Sequence, residues 1–224
     1  MRKVALVEGE YYHIFNRGVD KRKVFLSEVD FRRFKVSMQE FNTELPIGSI
    51  YEHSYNKEMR KGDKSLVELI AYCLNPNHFH FILRQIAENG ISKFMQRLGN
   101  GYTKYFNDKN KRSGSLFQGK FKSVHISNNE QLIYLSAYVN LNYLVHALTS
   151  KQSKSSWEEY ITSKKGICSA GIITGQFPSI GKYQKMAEGT VREIRKRREE
   201  EKNLLEFEPI LKLGHPMSKL IGRK

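Results

Sequence analysis

The sequence predicts an α+β fold: an antiparallel sheet with helices on one face, followed by a helical C-terminal extension. Three observations predict it. Segments of two-residue and of three-to-four-residue apolar spacing follow one another as strand, helix, strands, helix, strand, helix, the order of a split βαβ plan. Two apolar runs, Leu66–Leu74 and Phe79–Arg84, are separated only by Asn75-Pro76-Asn77, a turn signal that makes them a hairpin. After Ser150 the chain becomes polar and charged. The 224 residues therefore divide into a domain over 1–150 and an extension over 151–224.

Taken in order, Glu10-Tyr11-Tyr12-His13-Ile14-Phe15-Asn16-Arg17 alternates as a first strand and is closed by Gly18. Ser27 begins a helix as N-cap, with Asp30 three residues on, and Phe31, Phe34, Met38 and Phe41 form its apolar stripe. Pro46 and Gly48 break the chain, Ile47 to Tyr55 reads as a strand, and Asn56 to Lys64 as a loop. After the hairpin a second helix runs from about Ile91 to Phe106. Its inner side is Ile91, Phe94, Met95, Leu98, Tyr102 and Tyr105. A basic loop over Lys109 to Gly114 leads to an extended segment, Leu116 to Ile126. Ser127 and Glu130 then form a capping box for a third helix, Asn128 to about Leu148. Beyond the polar linker Lys151–Ser156, Trp157-Glu158-Glu159-Tyr160 is short and amphipathic, suited to docking on the core. Glu188 to Glu206 carries opposite charges at i,i+4, such as Glu193 and Arg197, as a solvated helix does.

Composition narrows the function. Hydrophobic residues make up 39%, enough for a core, and no apolar run approaches the ~20 residues of a membrane span. The N-terminus lacks the apolar stretch and cleavage site of a signal peptide. Two cysteines, Cys73 and Cys168, exclude a disulfide framework and a cysteine-rich zinc site. These features predict a cytoplasmic protein, with Cys73 a small core residue. A net charge of +15 points to a polyanionic partner. Between Lys93 and Lys122 the cations Lys93, Arg97, Lys104, Lys109, Lys111, Arg112, Lys120 and Lys122 stand among Tyr102, Tyr105, Phe106, Phe117 and Phe121, with Asp108 the only acid. Phosphates need charge and unpaired bases need stacking platforms, so this mixture suits single-stranded nucleic acid. The stretch is broken at Asn107–Gly114, where a membrane-surface helix would need a continuous apolar face, so no membrane partner is expected.

His78-Phe79-His80 is the most informative feature. Residues i and i+2 of a strand point the same way, so both imidazoles project side by side from one face of the sheet. Such a pair suits a divalent metal, and equally suits ordinary hydrogen-bonded residues at a strand end. On the third helix Tyr134, Tyr138 and Asn142 recur every four residues and share a face, which offers a phenol and, one turn later, an amide oxygen. A phenol beside a metal can attack a phosphate; tyrosines at this spacing can also be half-buried core.

These residues carry a resemblance. Asn77-His78-Phe79-His80 after two apolar residues looks like the histidine–hydrophobic–histidine motif of the HUH single-strand endonucleases. Within them the chain resembles the single-tyrosine transposase-like proteins associated with repetitive extragenic palindromes (REP-associated tyrosine transposases), kin of the IS200/IS605 transposases. Asn16-Arg17-Gly18, the block Ser113–Ser123, Tyr138-Val139-Asn140-Leu141-Asn142 and Ser155-Ser156-Trp157-Glu158-Glu159-Tyr160 agree with that family in family order, over about residues 10 to 160.

The resemblance implies a ferredoxin-like HUH endonuclease fold. His78, His80 and Asn142 would be ligands of Mg²⁺ or Mn²⁺, and Tyr138 the nucleophile that leaves a 5′-phosphotyrosyl bond and a free 3′-OH. Rejoining would need no ATP. Single-stranded DNA, most naturally a hairpin-forming repeat, is the implied partner, with Arg17, Arg112, Phe117, Gln118, Lys120 and Lys122 as its contacts. A monomer or a homodimer is implied. Two departures stand out: Asn142 is followed by Tyr143 where the family usually has proline, and Asn140 replaces a histidine or aromatic. Two other readings remain open. Tyr134 and Tyr138 have the spacing of two-tyrosine rolling-circle replication initiators. A ferredoxin-like sheet with aromatics also serves non-catalytic binding of single-stranded nucleic acid.

Overall fold

The computed structural model describes residues 5–47, 50, 64–162 and 164–200. Five strands, β1 (Tyr11–Arg17), β2 (Val67–Asn75), β3 (His78–Gln85), β4 (Lys122–Ile126) and β5 (Lys154–Ser155), form one sheet in the order β4-β1-β3-β2-β5. Every pairing is antiparallel. The helices are α1 (Glu28–Glu40), α2 (Gly90–Lys109), α3 (Asn129–Asn140), α4 (Asn142–Val145), α5 (Trp157–Ile161), α6 (Gly171–Thr174) and α7 (Ile180–Glu200). The α+β class and the β2–β3 hairpin are as the sequence predicts. The strand expected over 47–55 falls almost wholly outside the described residues, as does the loop over 56–64 up to its last residue.

Two layers of helix sandwich the sheet. The expected arrangement, with helices on one face, holds for α1 and α2. Phe31, Phe34, Met38, Phe94, Leu98 and Tyr102 pack there on Tyr12, Ile14, Tyr72, Phe79, Phe81 and Leu83 in one buried cluster. Phe34 is its hub, edge-on to Tyr102 at 4.8 Å and to Phe25 at 5.1 Å. Burying each such side chain contributes about 1.5–3 kcal/mol, more than any single surface interaction. The capping box of Ser27 and Asp30 forms as predicted. The same buried carboxylate accepts from Lys109 at 2.6 Å and from the Tyr105 hydroxyl at 3.0 Å, tying α1 to the end of α2.

The opposite face is covered by α3 and α7, because the even-numbered residues of β3, His78, His80 and Ile82, leave a second surface to bury. A register shift in β2 between Leu69 and Ala71 decides what joins them. Before it, Val67 and Leu69 belong to the α1/α2 face. After it, Tyr72 and Leu74 do, and Ala71, Cys73 and Asn75 turn to the other side, opposite Ile82, His80 and His78. One extra residue inverts strand parity, the usual effect of a bulge.

The cap of α3 differs from the expected Ser127–Glu130 box by one residue. Asn128 is the N-cap, its side chain accepting from the Gln131 amide at 2.8 Å, and Gln131 Oε1 accepts from the Ser127 amide at 2.7 Å. The helix expected to run on to about Leu148 breaks at Leu141 (φ −110°, ψ 18°), without a proline, and restarts as α4. The break coincides with two side chains being drawn apart. Asn140 bonds Ser156 and Tyr183 on the extension side, and Asn142 turns towards the β2–β3 hairpin.

From residue 151 to 200 the extension packs into the core of the α3 face. Lys154–Ser155 adds β5 beside β2, Ser156 Oγ accepts from the Tyr72 amide at 2.9 Å, and the buried Tyr160 hydroxyl donates to the Ile70 carbonyl at 2.8 Å. The helix expected to be solvated from Glu188 begins at Ile180 and buries Tyr183, Ala187, Val191 and Ile194. That spacing of four, four and three is an apolar stripe. It begins ahead of the charged run that dominates the sequence and continues into it. Among the described residues no helix is long and apolar enough to cross a membrane.

Candidate active site

The α3 face of the sheet collects the chemistry. His78 and His80 project from β3 as strand alternation requires, and both are buried. His78 Nδ1 lies 2.7 Å from Asn77 Oδ1. With Nδ1–H donating there, the Nε2 lone pair points inward, 2.9 Å from Asn75 Nδ2 and 3.2 Å from Asn142 Oδ1. His80 Nδ1 lies 2.9 Å from Nε2 of His13 on β1, the two rings stacked with centroids 5.1 Å apart. With Nδ1–H donating to His13, His80 Nε2 keeps its lone pair, and that atom is buried without a hydrogen-bond partner. Burial pushes His80 well below its usual range, with His13, His78 and His146 adding to the effect; burial alone takes His13 down to about 3. Both are therefore neutral at pH 7, the form that ligates metal.

Among the described residues no three His, Cys, Asp or Glu side chains form a metal-sized group, so from these residues a third ligand beside the two histidines would be an amide oxygen. Asn142 places one: Oδ1 lies 3.2 Å from His78 Nε2, both of them acceptors when His78 carries its proton on Nδ1, and Asn75 Nδ2 donates to Oδ1 at 2.6 Å. The imidazole nitrogens of His78 and His80, the latter without a partner for Nε2 among the described residues, and the Asn142 amide oxygen are the donor types a divalent cation takes. The His13 ring stands behind His80 as the outer partner that orients a ligand.

Tyr138 completes the group. Its ring meets His80 edge-on at 5.5 Å and His13 at 6.1 Å. Burial raises its phenol above the usual range, while Arg198 of α7 and the Asn142 side chain pull it back. Tyr134, one turn earlier, is half-buried in the same cluster. Burial takes it up to about 12, and its charged neighbours are Arg197 and Glu193 of α7.

The expected nucleic-acid contacts separate into groups. Arg17 is the cross-strand partner of His78 and shares its face, and Arg17 Nε donates to Gln118 Oε1. The Gln118 amide donates to the Arg17 carbonyl at 2.8 Å, so the loop after Leu116 is zipped to the end of β1. Lys122 lies opposite Phe15 on the same face, its Nζ 6.0 Å from the Phe15 ring, which in turn stacks on His80. Gln118 and Lys120 are exposed. Arg112 instead braces its own loop, donating to Asn107 Oδ1 and the Ser115 carbonyl. Phe117 corrects the expectation of a stacking platform. It is buried against Phe79 and Tyr102, because the Gly18–Phe117 bridge turns its ring into the α1/α2 core.

Four residues near the site escape the sequence reading. His13 had a signal in the alternation of β1, which puts it in phase with Phe15 and Arg17. Asn75 looked like part of a turn. His146, within the run expected to be helix, has its ring 4.7 Å from that of His78 and a buried Nε2 without a partner among the described residues. Arg198, on α7 beyond the residues that carry the resemblance, brings a positive charge that lowers the pKa of Tyr138, His80 and His146.

Comparison with known proteins agrees with this geometry. The family described as IS200-like transposases matches residues 7–142, from β1 through Tyr138 to Asn142. Among solved structures, one described as the REP-associated tyrosine transposase bound to a REP hairpin is similar to this chain with a TM-score of 0.52 and 15% identity. The likeness covers 78% of this chain and 93% of that one, and it is a likeness of fold. No curated protein matches the chain significantly. The family match spans more than half of the chain, and the protein belongs to the IS200-like transposase family.

Proposed function

We propose that this member of the IS200-like transposase family nicks and rejoins single-stranded DNA through a covalent bond to Tyr138, at hairpin-forming repeats. The observation that carries the reading is the meeting of Tyr138 with His80, and of His78 with Asn142, on one buried face of the sheet. Mg²⁺ or Mn²⁺ bound by His78, His80 and Asn142 would supply polarisation of the scissile phosphate. The Tyr138 oxygen forms a bond to phosphorus as the bond to the 3′ oxygen breaks. The phenol's proton passes to water, and the departing 3′ oxygen takes a proton from water to leave as a hydroxyl. The return attack by that hydroxyl restores the phosphodiester and the tyrosine. Arg198 eases the loss of the phenol proton by opposing the effect of burial. Arg17 and Lys122, on the face of the histidines, bring positive charge to the phosphates, with Lys120 at the exposed loop.

The test uses single-stranded hairpin oligonucleotides labelled at either end, with Mn²⁺ or EDTA, resolved on a denaturing protein gel. A covalent adduct carrying the 3′ label is expected with Mn²⁺. It should vanish in Tyr138→Phe and persist in Tyr134→Phe. Nicking by Tyr138→Phe would refute the assignment. Binding without an adduct on any hairpin would favour the non-catalytic module.

A further inference from the structure

Asn75 is left without a role by the reading above, on which the following rests. It ends β2, is fully buried, and reaches the α3 face only because of the bulge at Leu69–Ala71. Its two amide ends do different things. Oδ1 accepts from Ser153 Oγ at 2.8 Å and from the Cys73 thiol at 3.6 Å. Nδ2 stands 2.9 Å from His78 Nε2 and 2.6 Å from Asn142 Oδ1, which are themselves 3.2 Å apart and are both acceptors when His78 carries its proton on Nδ1 towards Asn77. Two lone pairs facing each other at that distance repel, and the Asn75 amide hydrogens relieve the repulsion by occupying the place a cation would take.

We propose that Asn75 is a further ligand of the divalent-cation site, offering Oδ1 from the position that Nδ2 now holds. A half-turn about χ2 exchanges the two ends and leaves every other heavy atom in place. Three ligand atoms would then form a triangle with sides of 2.9, 2.6 and 3.2 Å. Adjacent ligands around an octahedral Mg²⁺ at 2.0–2.1 Å stand roughly 2.9 Å apart, so the triangle matches one face of that octahedron. The turned Nδ2 would meet Ser153 Oγ and Cys73 Sγ, both able to accept a hydrogen. Ser153 is itself buried beside β5, so the extension holds the back of the ligand.

Mn²⁺ binding to the full chain, followed by the electron paramagnetic resonance signal of free Mn²⁺, tests this without relying on activity. Wild type should bind. Asn75→Ala should weaken binding about tenfold or more, in the range seen when a site loses a supporting group. Asn75→Asp, of the same shape, should bind at least as tightly as wild type. Circular dichroism melts check that each variant folds, and if Asn75→Ala does not, weakened binding by Asn75→Asp would overturn the proposal. Unchanged or tighter binding by folded Asn75→Ala would overturn it too, leaving Asn75 as a plug. If His80→Ala lowers affinity and Asn75→Ala does not, only this ligand assignment fails. If wild type takes up no Mn²⁺, the metal reading itself fails.

Discussion

On one face of the sheet Phe79, Phe81 and Leu83 meet Phe34 and Tyr102; one residue out of phase, His78 and His80 meet His13, Tyr138 and Asn142. The same strand supplies both surfaces, yet they differ in kind. The α1/α2 face is closed by aromatic contacts and its buried carboxylate, Asp30, is fully partnered. Among the described residues the α3 face leaves His80 Nε2, Asn142 Nδ2 and His146 Nε2 buried without partners, against Arg33 Nε of α1, beside Tyr105, on the other. Each such atom costs about 1–3 kcal/mol when nothing meets it. Both faces bury an apolar cluster, and the second also carries polar groups that packing alone does not justify.

Substitutions on either face sharpen or break that division. The largest expected effect on stability is Phe34→Ala, which opens a cavity at the hub of the aromatic face and should cost about 3–5 kcal/mol in urea unfolding. The chain that remains folded should still form the Tyr138 adduct. Loss of the adduct at full occupancy of the folded state would show that the faces are not separable. His13→Ala should do the reverse. Removing the partner of His80 Nδ1 should weaken Mn²⁺ binding about 10–100-fold, measured by titration calorimetry, with a smaller loss of stability. An unchanged affinity would mean that His80 needs no such support.

The mildest probe is pH. His13 and His146 are held at about 3 by burial, against an ordinary 6.5. A histidine depressed in the folded state contributes stability that is complete above 6.5 and is lost as pH falls towards 3. Melting temperature should therefore be level above pH 7 and decline progressively below about 6.5. His13→Gln should flatten the decline. A melting temperature independent of pH from 7 to 5 would show that these imidazoles are not buried as described.

Much of this was legible because it is local. Strand alternation alone put His78 and His80 on one face, and the spacing of Tyr138 and Asn142 put a phenol and an amide oxygen in phase. The Ser27–Asp30 box and the Asn75-Pro76-Asn77 turn depend on neighbours three residues away. The cap of α3 was misplaced by a single residue, since Ser127 and Asn128 are both good N-caps and only the Gln131 side chain selects between them. Phe117 was misread because an aromatic among lysines looks the same whether it faces bases or the core.

By itself, then, the sequence determined the α+β class, the hairpin, the phase of its histidines and the likeness to IS200-like transposases. Tertiary structure alone decided which face α3 covers, that a bulge turns Asn75 to the side of His78, that His13 and His146 close around the pair, and that α7 docks to bring Arg198 towards Tyr138. The physical reason is range. Periodicity and capping are set by backbone geometry within a few residues, whereas a bulge, a helix break or a docked extension pays off only when surfaces distant in the chain are buried together.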